Sequence, residues 1–198
     1  MALRLLSPDA ISPVTSAGGD NVLPVPYCSQ QPFLNLCWAA CCEMVLQYYG
    51  ANALRLCDLP SRAFSCNCCT SPAPPQCDQT YWPEDVYAQS FLSSLPVPAA
   101  LVPFDCQRFE QPFTVDAVQH EIDGQRPIHA MFQWTSGGSH LVVVSGYHSN
   151  GDLQVQDPLY SSVGRASYEY VLQAYGAGNW IVTYYNLRPI NGAPVQTP

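Results

Sequence analysis

Cys37 lies at the predicted beginning of a helix, a position that suits a nucleophilic cysteine. A thiol attacks as its thiolate, and the partial positive charge at the start of a helix favours that anion. The sequence supplies two partners: His140 begins an apolar run after Gly137-Gly138, and Asp157 ends the next predicted strand. A histidine that is oriented by a carboxylate can take the proton of the nucleophile. The sequence therefore predicts a catalytic triad of Cys37, His140 and Asp157.

The connection between two predicted strands decides whether His140 and Asp157 can meet. If residues 148–151 form a four-residue loop, Asp157 lies opposite Val142 and diagonal to His140 on the same face. A two-residue Asn-Gly turn would instead place Asp157 opposite Val144, too far from the histidine. The triad therefore requires a wide loop or a β-bulge in this hairpin.

Acyl transfer also requires hydrogen-bond donors for the oxyanion that forms on the substrate. The backbone N–H of Cys37 is one candidate donor. A side-chain amide that lies shortly before the cysteine is the other, and both Gln30 and Gln31 qualify.

The elements that must position these residues follow the order helices first, strands second. Helical spacing of apolar residues predicts a first helix over 37–49, with Asn35 as its cap and Gly50 as its end. Further helices are predicted over 83–95, 114–124 and 167–175, and strands over 127–134, 140–147, 153–157 and 180–185. This order predicts an α+β fold.

Composition limits the domain count and the partners. The 198 residues are 47% hydrophobic, which suits one domain, here placed at residues 21–188 between a flexible arm (1–20) and a tail (189–198). A net charge of -8 with seven scattered cations argues against nucleic acid and against an anionic membrane surface. No apolar run approaches the roughly 20 residues of a membrane span.

Ten cysteines are present, and five of them lie within the Pro-rich segment 51–82, which is predicted to be irregular. Such a segment buries too little apolar surface to offset its ordering entropy, so disulfides or a metal should hold it. Disulfides are the first choice, using Cys57, Cys69 and Cys77 with Cys66 or Cys68 as the fourth partner. Disulfides would favour a secreted or exported protein, and reduced thiols a cytoplasmic one.

The stretch VPYCSQQPFLNLCWAACCEMVLQYYG resembles the opening of bacterial papain-like proteases of the C39-like and AvrRpt2-like groups. The later blocks GQRPI, GGSHLVVVSGY, LQVQDPLY and WIVTYY have counterparts there as well, and residues 51–82 resemble a cysteine-rich insert of some members. The resemblance implies a two-lobe papain-like fold, a helical lobe followed by an antiparallel β lobe, with a cleft between them. It implies the same triad and a glutamine in the oxyanion hole. We assign that glutamine to Gln31 from its spacing to the cysteine, with Gln30 as the alternative.

Together these observations predict a cysteine peptidase that hydrolyses peptide bonds through a thioester acyl-enzyme and needs no cofactor or metal. Its partner would be a protein or peptide substrate. Two alternatives remain open from the sequence. The same triad could serve a deamidase or an acyl transferase, or the domain could be an inactive module that only binds a partner.

Overall fold

The computed structural model describes residues 19–160 and 163–191, so most of the predicted arm and the end of the predicted tail lie outside the described residues. The helices are α1 (Cys37–Tyr48), α2 (Asp58–Phe64), α3 (Pro83–Val86), α4 (Gln89–Leu92), α5 (Val115–Asp123) and α6 (Tyr168–Leu172). The strands are β1 (Asn21–Val22), β2 (Phe104–Phe109), β3 (Ile128–Trp134), β4 (Ser139–Tyr147), β5 (Asp152–Gln156), β6 (Val163–Ser167) and β7 (Gly178–Pro189). Among these helices, none has the length and apolar character that a bilayer span requires.

The described strands form one antiparallel sheet in the order β2-β7-β3-β4-β5-β6, and β1 pairs with the end of β4. The centre of this sheet is apolar on both faces, because β4 is buried from His140 through Tyr147. Helix α1 packs against β4. The α+β class predicted from the sequence is confirmed, and the packing of α1 on β4 brings the two predicted parts of the triad to the same place.

Helix α1 is almost entirely buried, which explains its apolar composition. The prediction that Asn35 caps this helix is wrong, because Leu36 occupies the N-cap position and no side chain caps the helix. The amide side chain of Asn35 instead donates to the carbonyl of Asp78 at 3.1 Å. Cys37 is consequently the first helical residue, where the backbone N–H has no partner within the helix.

The segment 51–82 is more regular than predicted, because it contains α2 and a short 3-10 turn over Pro75–Cys77. The prolines misled the sequence interpretation, since Pro60 lies in the first turn of α2, where proline is tolerated. The single helix predicted over 83–95 is also wrong. It is split into α3 and α4 because Ala88 adopts an extended backbone between them.

Two strands that the sequence did not predict, β2 and β6, form the edges of the sheet. An edge strand has only one neighbour, so its residues carry a weak alternation of apolar and polar side chains. Strand β7 is longer than the predicted 180–185 and extends to Pro189, because it pairs with both β2 and β3. The predicted tail therefore begins inside a strand.

The β4–β5 hairpin contains the irregularity that the triad required. Tyr147 pairs with Leu153, but the register shifts between Val144 and Gly146, so that Val143 pairs with Gln156. The next residue, Asp157, is thereby brought beside Val142, as the sequence analysis required. The connection over residues 148–151 and the β-bulge in β4 together give this register.

Candidate active site

A cleft of about 200 Å³ lies between the beginning of α1, the edge of β3 and β4, and the segment that precedes α3. Its lining is largely apolar and includes Cys37, Trp38, Thr80, Tyr81, Trp82, Pro83, Met131, Ser139, His140 and Leu141. Cys37 is a free, partly buried thiol. The cleft therefore contains the predicted nucleophile and the predicted base.

His140 and Asp157 form a buried pair in which Nε2 of the imidazole lies 2.8 Å from Oδ1 of the carboxylate. Both side chains are about 5% exposed. The backbone N–H of Leu159 donates to the same carboxylate oxygen at 2.9 Å, which fixes the direction of the carboxylate. Because Nε2 faces Asp157, Nδ1 is the ring nitrogen left for Cys37, whose thiol lines the same cleft and acts on the pKa of the imidazole.

The electrostatics of this pair favour a protonated imidazole. Burial by itself lowers the pKa of His140, but the hydrogen bonds to Asp157 and Cys37 and their charges outweigh it. The net effect raises the pKa of His140 to about 9. An imidazolium beside a thiol stabilises the thiolate, which is the attacking form of cysteine.

Aromatic residues that the sequence analysis did not single out enclose the pair. The indole of Trp134 stacks on the imidazole of His140, with ring centroids 5.7 Å apart. Tyr175 packs edge-on against Phe132 at 5.2 Å, and burial together with the charge of Asp157 raises the pKa of its hydroxyl. The alternation of side chains along β3 is the sequence signal that could have identified Phe132 and Trp134. Phe132 pairs with His140, and Trp134, two residues further on, lies on the same face of the strand as Phe132.

The two candidate glutamines lie in different surroundings. The side chain of Gln30 is buried, and its Nε2 donates to the carbonyls of Phe33 and Leu34 at 3.1 and 3.0 Å. Gln31 is exposed. The described residues that line the cleft include neither amide. The assignment of an oxyanion glutamine to Gln31, with Gln30 as the alternative, stays a prediction.

The loop that carries Gln30 joins the two halves of the site. The backbone N–H of Gln30 donates to the carbonyl of Pro158 at 2.9 Å, directly after Asp157. Nε2 of Gln156 donates to the carbonyl of Val25 at 2.7 Å. The segment that leads to Cys37 is therefore attached to the segment that carries Asp157, which holds the two at a fixed separation.

The cysteine-rich insert contains two disulfides, Cys57–Cys69 and Cys68–Cys77, in agreement with the predicted partners. Cys68 is thus the fourth partner, and Cys66 is free.

Among the described residues of the insert, two groups of three side chains place potential metal-ligand atoms within 4.8 Å of one another. They are Cys66, Cys68 and Cys77, and Cys57, Asp58 and Cys69. Each group includes cysteines that are oxidised to a disulfide in this structure. Since thiolates and not disulfide sulfurs bind zinc, a metal would require a reduced chain.

Comparisons with known proteins bear on the family and the fold of this chain. The sequence profile of the Peptidase C39-like family matches residues 22–187. A crystal structure of a protein from Bacillus anthracis assigned as a C39-like peptidase has a similar fold, with a TM-score of 0.55 and 17% identity. That similarity covers 86% of this chain and 98% of the other. No curated protein matches the sequence. The chain belongs to the C39-like family of papain-clan cysteine peptidases.

Proposed function

We propose that this protein hydrolyses peptide bonds with Cys37 as nucleophile, His140 as general acid and base, and Asp157 as the group that orients the histidine. One observation carries the proposal. The buried imidazole of His140 is hydrogen-bonded on one side to Asp157 and is in reach of a partly exposed thiol in a cleft on the other. Three residues from three separate elements meet there, and family membership supports the same chemistry.

The mechanism follows from these positions. The Cys37 thiolate attacks the substrate carbonyl, and the imidazolium of His140 gives its proton to the departing amine. The product is a thioester between Cys37 and the acyl half of the substrate. Water then attacks the thioester with neutral His140 as base, and the thiolate returns. Asp157 keeps Nε2 engaged throughout, so that Nδ1 faces the reacting atoms.

The experiment that tests this proposal is incubation with a peptide library followed by mass spectrometry. Hydrolysis should yield two fragments whose masses sum to the substrate plus one water. A deamidase would leave the peptide intact and raise its mass by one dalton, and an acyl transferase would join the acyl half to an added amine. An active-site thiol probe that labels nothing at Cys37 would favour the binding module instead.

The oxyanion assignment leads to a prediction on the two glutamines. Replacing Gln31 by alanine should lower kcat by about 10²-fold if its amide contacts the oxyanion, since loss of one donor has that effect. The melting temperature should not change, because Gln31 is exposed. Gln30→Ala is the matched variant and should lower the melting temperature, because its amide is buried and bonded to two carbonyls. If Gln30→Ala lowers kcat at unchanged stability while Gln31→Ala does not, the assignment moves to Gln30.

The pH profile gives a second prediction. Because the pKa of His140 is raised to about 9, its imidazolium should lose its proton as the pH rises through that value. We therefore expect kcat/KM to fall on an alkaline limb near pH 9. In Asp157→Asn the carboxylate that raises the pKa is gone while burial, which lowers it, remains. The limb should move to lower pH in that variant, and an unmoved limb would contradict the role of Asp157.

A further inference from the structure

Residues 77–82, called here the wall segment, connect the cysteine-rich insert to the cleft. The segment begins at Cys77, one end of the Cys68–Cys77 disulfide. It ends at Thr80, Tyr81 and Trp82, which line the cleft. The insert thus forms one face of the candidate active site. The wall segment that forms this face is anchored at its first residue, Cys77, by a disulfide.

Asp78, the second residue of the wall segment, is hydrogen-bonded to the chain just before the nucleophile. Its carboxylate accepts the backbone N–H of Asn35 at 2.7 Å and that of Leu34 at 3.1 Å. Its carbonyl accepts the amide of Asn35 at 3.1 Å. Asp78 therefore binds the two residues that come directly before Leu36, the N-cap residue of α1.

A second contact holds the chain just after the nucleophile. The indole N–H of Trp38 donates to the carbonyl of Gln79 at 2.9 Å. The wall segment therefore contacts residues on both sides of Cys37. A shift of this segment would move the thiol and its backbone N–H relative to His140, and such small displacements have large effects on reaction rate.

A third sulfur lies against the disulfide that anchors the segment. The thiol of Cys66 is 3.3 Å from Sγ of Cys68 and 3.3 Å from Sγ of Cys77. Cys77 therefore has two possible bridging partners, Cys66 and Cys68. Because Cys77 is the cysteine of the wall segment, either bridge to that segment must end at Cys77.

We propose that Asp78 is a positioning residue for Cys37, and that Cys77 holds Asp78 in place through a bridge to Cys68 for which Cys66 can substitute. The activity then depends on the oxidation state of this sulfur cluster. The inference rests on the proposed function, but it also predicts the chemical reactivity of Cys37, which is measured without a substrate.

The first arm of the test replaces Asp78 by alanine and measures alkylation of Cys37 by iodoacetamide, located by mass spectrometry. We expect the rate constant to fall about tenfold or more, and kcat on a cleaved peptide to fall likewise at nearly constant KM. Asp78→Asn keeps one acceptor oxygen and should recover most of both rates. Unchanged alkylation in a folded Asp78→Ala protein would refute the positioning role.

The second arm uses the two ends of one disulfide. Cys77→Ser should show the low reactivity of Asp78→Ala, because the wall segment loses its anchor. Cys68→Ser, refolded with oxidised glutathione, should retain reactivity. Cys66 and Cys77 then lose two protons and two electrons to form a bridge, and oxidised glutathione is reduced to two thiols. The double variant Cys66→Ser/Cys68→Ser should behave like Cys77→Ser.

The matched control is the other disulfide of the insert. Cys57→Ser/Cys69→Ser removes a bridge that does not end in the wall segment, and it should leave alkylation and turnover unchanged. Equal losses in Cys68→Ser and Cys77→Ser, or an equal loss in the control, would overturn the proposal. If wild-type protein cleaves no peptide yet the alkylation rates follow the expected order, the proposed function fails and the positioning role stands.

Discussion

Replacing Cys37 by alanine is expected to reduce turnover by about 10⁴-fold or more, because no thioester can form without the thiol. The fold should survive, since the side chain is small, partly exposed and free of any disulfide. We expect the melting temperature to stay within a few degrees of the wild-type value, as is usual outside a packed core. Peptide cleavage and thermal unfolding measured on the same preparation test both parts.

Cys66→Ala is the matched control for this variant, because Cys66 is another free and partly buried thiol outside the cleft. It should retain wild-type turnover as long as the Cys68–Cys77 disulfide is intact. Equal activity of the wild type and Cys37→Ala on every cleaved substrate would contradict the assignment of the nucleophile.

Replacing His140 by alanine is expected to lower turnover almost as far as loss of Cys37, because nucleophile and base act as one unit. The double variant Cys37→Ala/His140→Ala should consequently be no worse than either single variant. Asp157→Ala should lose at least about tenfold less than His140→Ala, because an orienting group contributes less than the base it orients. Steady-state kinetics of the four proteins test this order.

The matched control for His140→Ala is His120→Ala, which removes an exposed histidine from α5. It should leave kcat/KM unchanged. A larger loss in Asp157→Ala than in His140→Ala would show that the carboxylate does more than orient the imidazole. Thermal unfolding must accompany these measurements, because both members of the pair are buried and their loss leaves a polar partner unsatisfied.

The two disulfides bear on where the protein works. Disulfides persist in oxidising compartments and are rare in reducing ones, so a secreted or exported location stays the prediction for the disulfide-bonded protein. The same point links location to activity. If Asp78 depends on a bridge from Cys77 to Cys68 or to Cys66, the enzyme would be fully active only where such a bridge survives.

Much of the site could be predicted from local sequence. The apolar spacing after Cys37 specifies α1, and the continuous apolar run after His140 specifies the buried strand β4. The helix predicted over 114–124 is present as α5, which the side chain of Thr114 caps by accepting the N–H of Ala117. These signals are local, because a helix face, a buried strand and a cap each depend on residues close in the chain.

The tertiary structure alone decided the features that depend on pairing between segments far apart in the chain. The edge strands β2 and β6 exist because a neighbouring strand recruits them, and their own residues show little alternation. The bulge that brings Asp157 to His140 is a register choice between two strands, which composition does not reveal. The hydrogen bonds of Asp78 to Asn35 and Leu34 join residues that are separated by 43 and 44 positions in the chain. The sequence by itself determined which residues are candidates for the chemistry. The sheet register determined how His140 and Asp157 meet, and the wall segment contacts the chain on both sides of Cys37, because both arrangements are set by contacts between segments far apart in the chain.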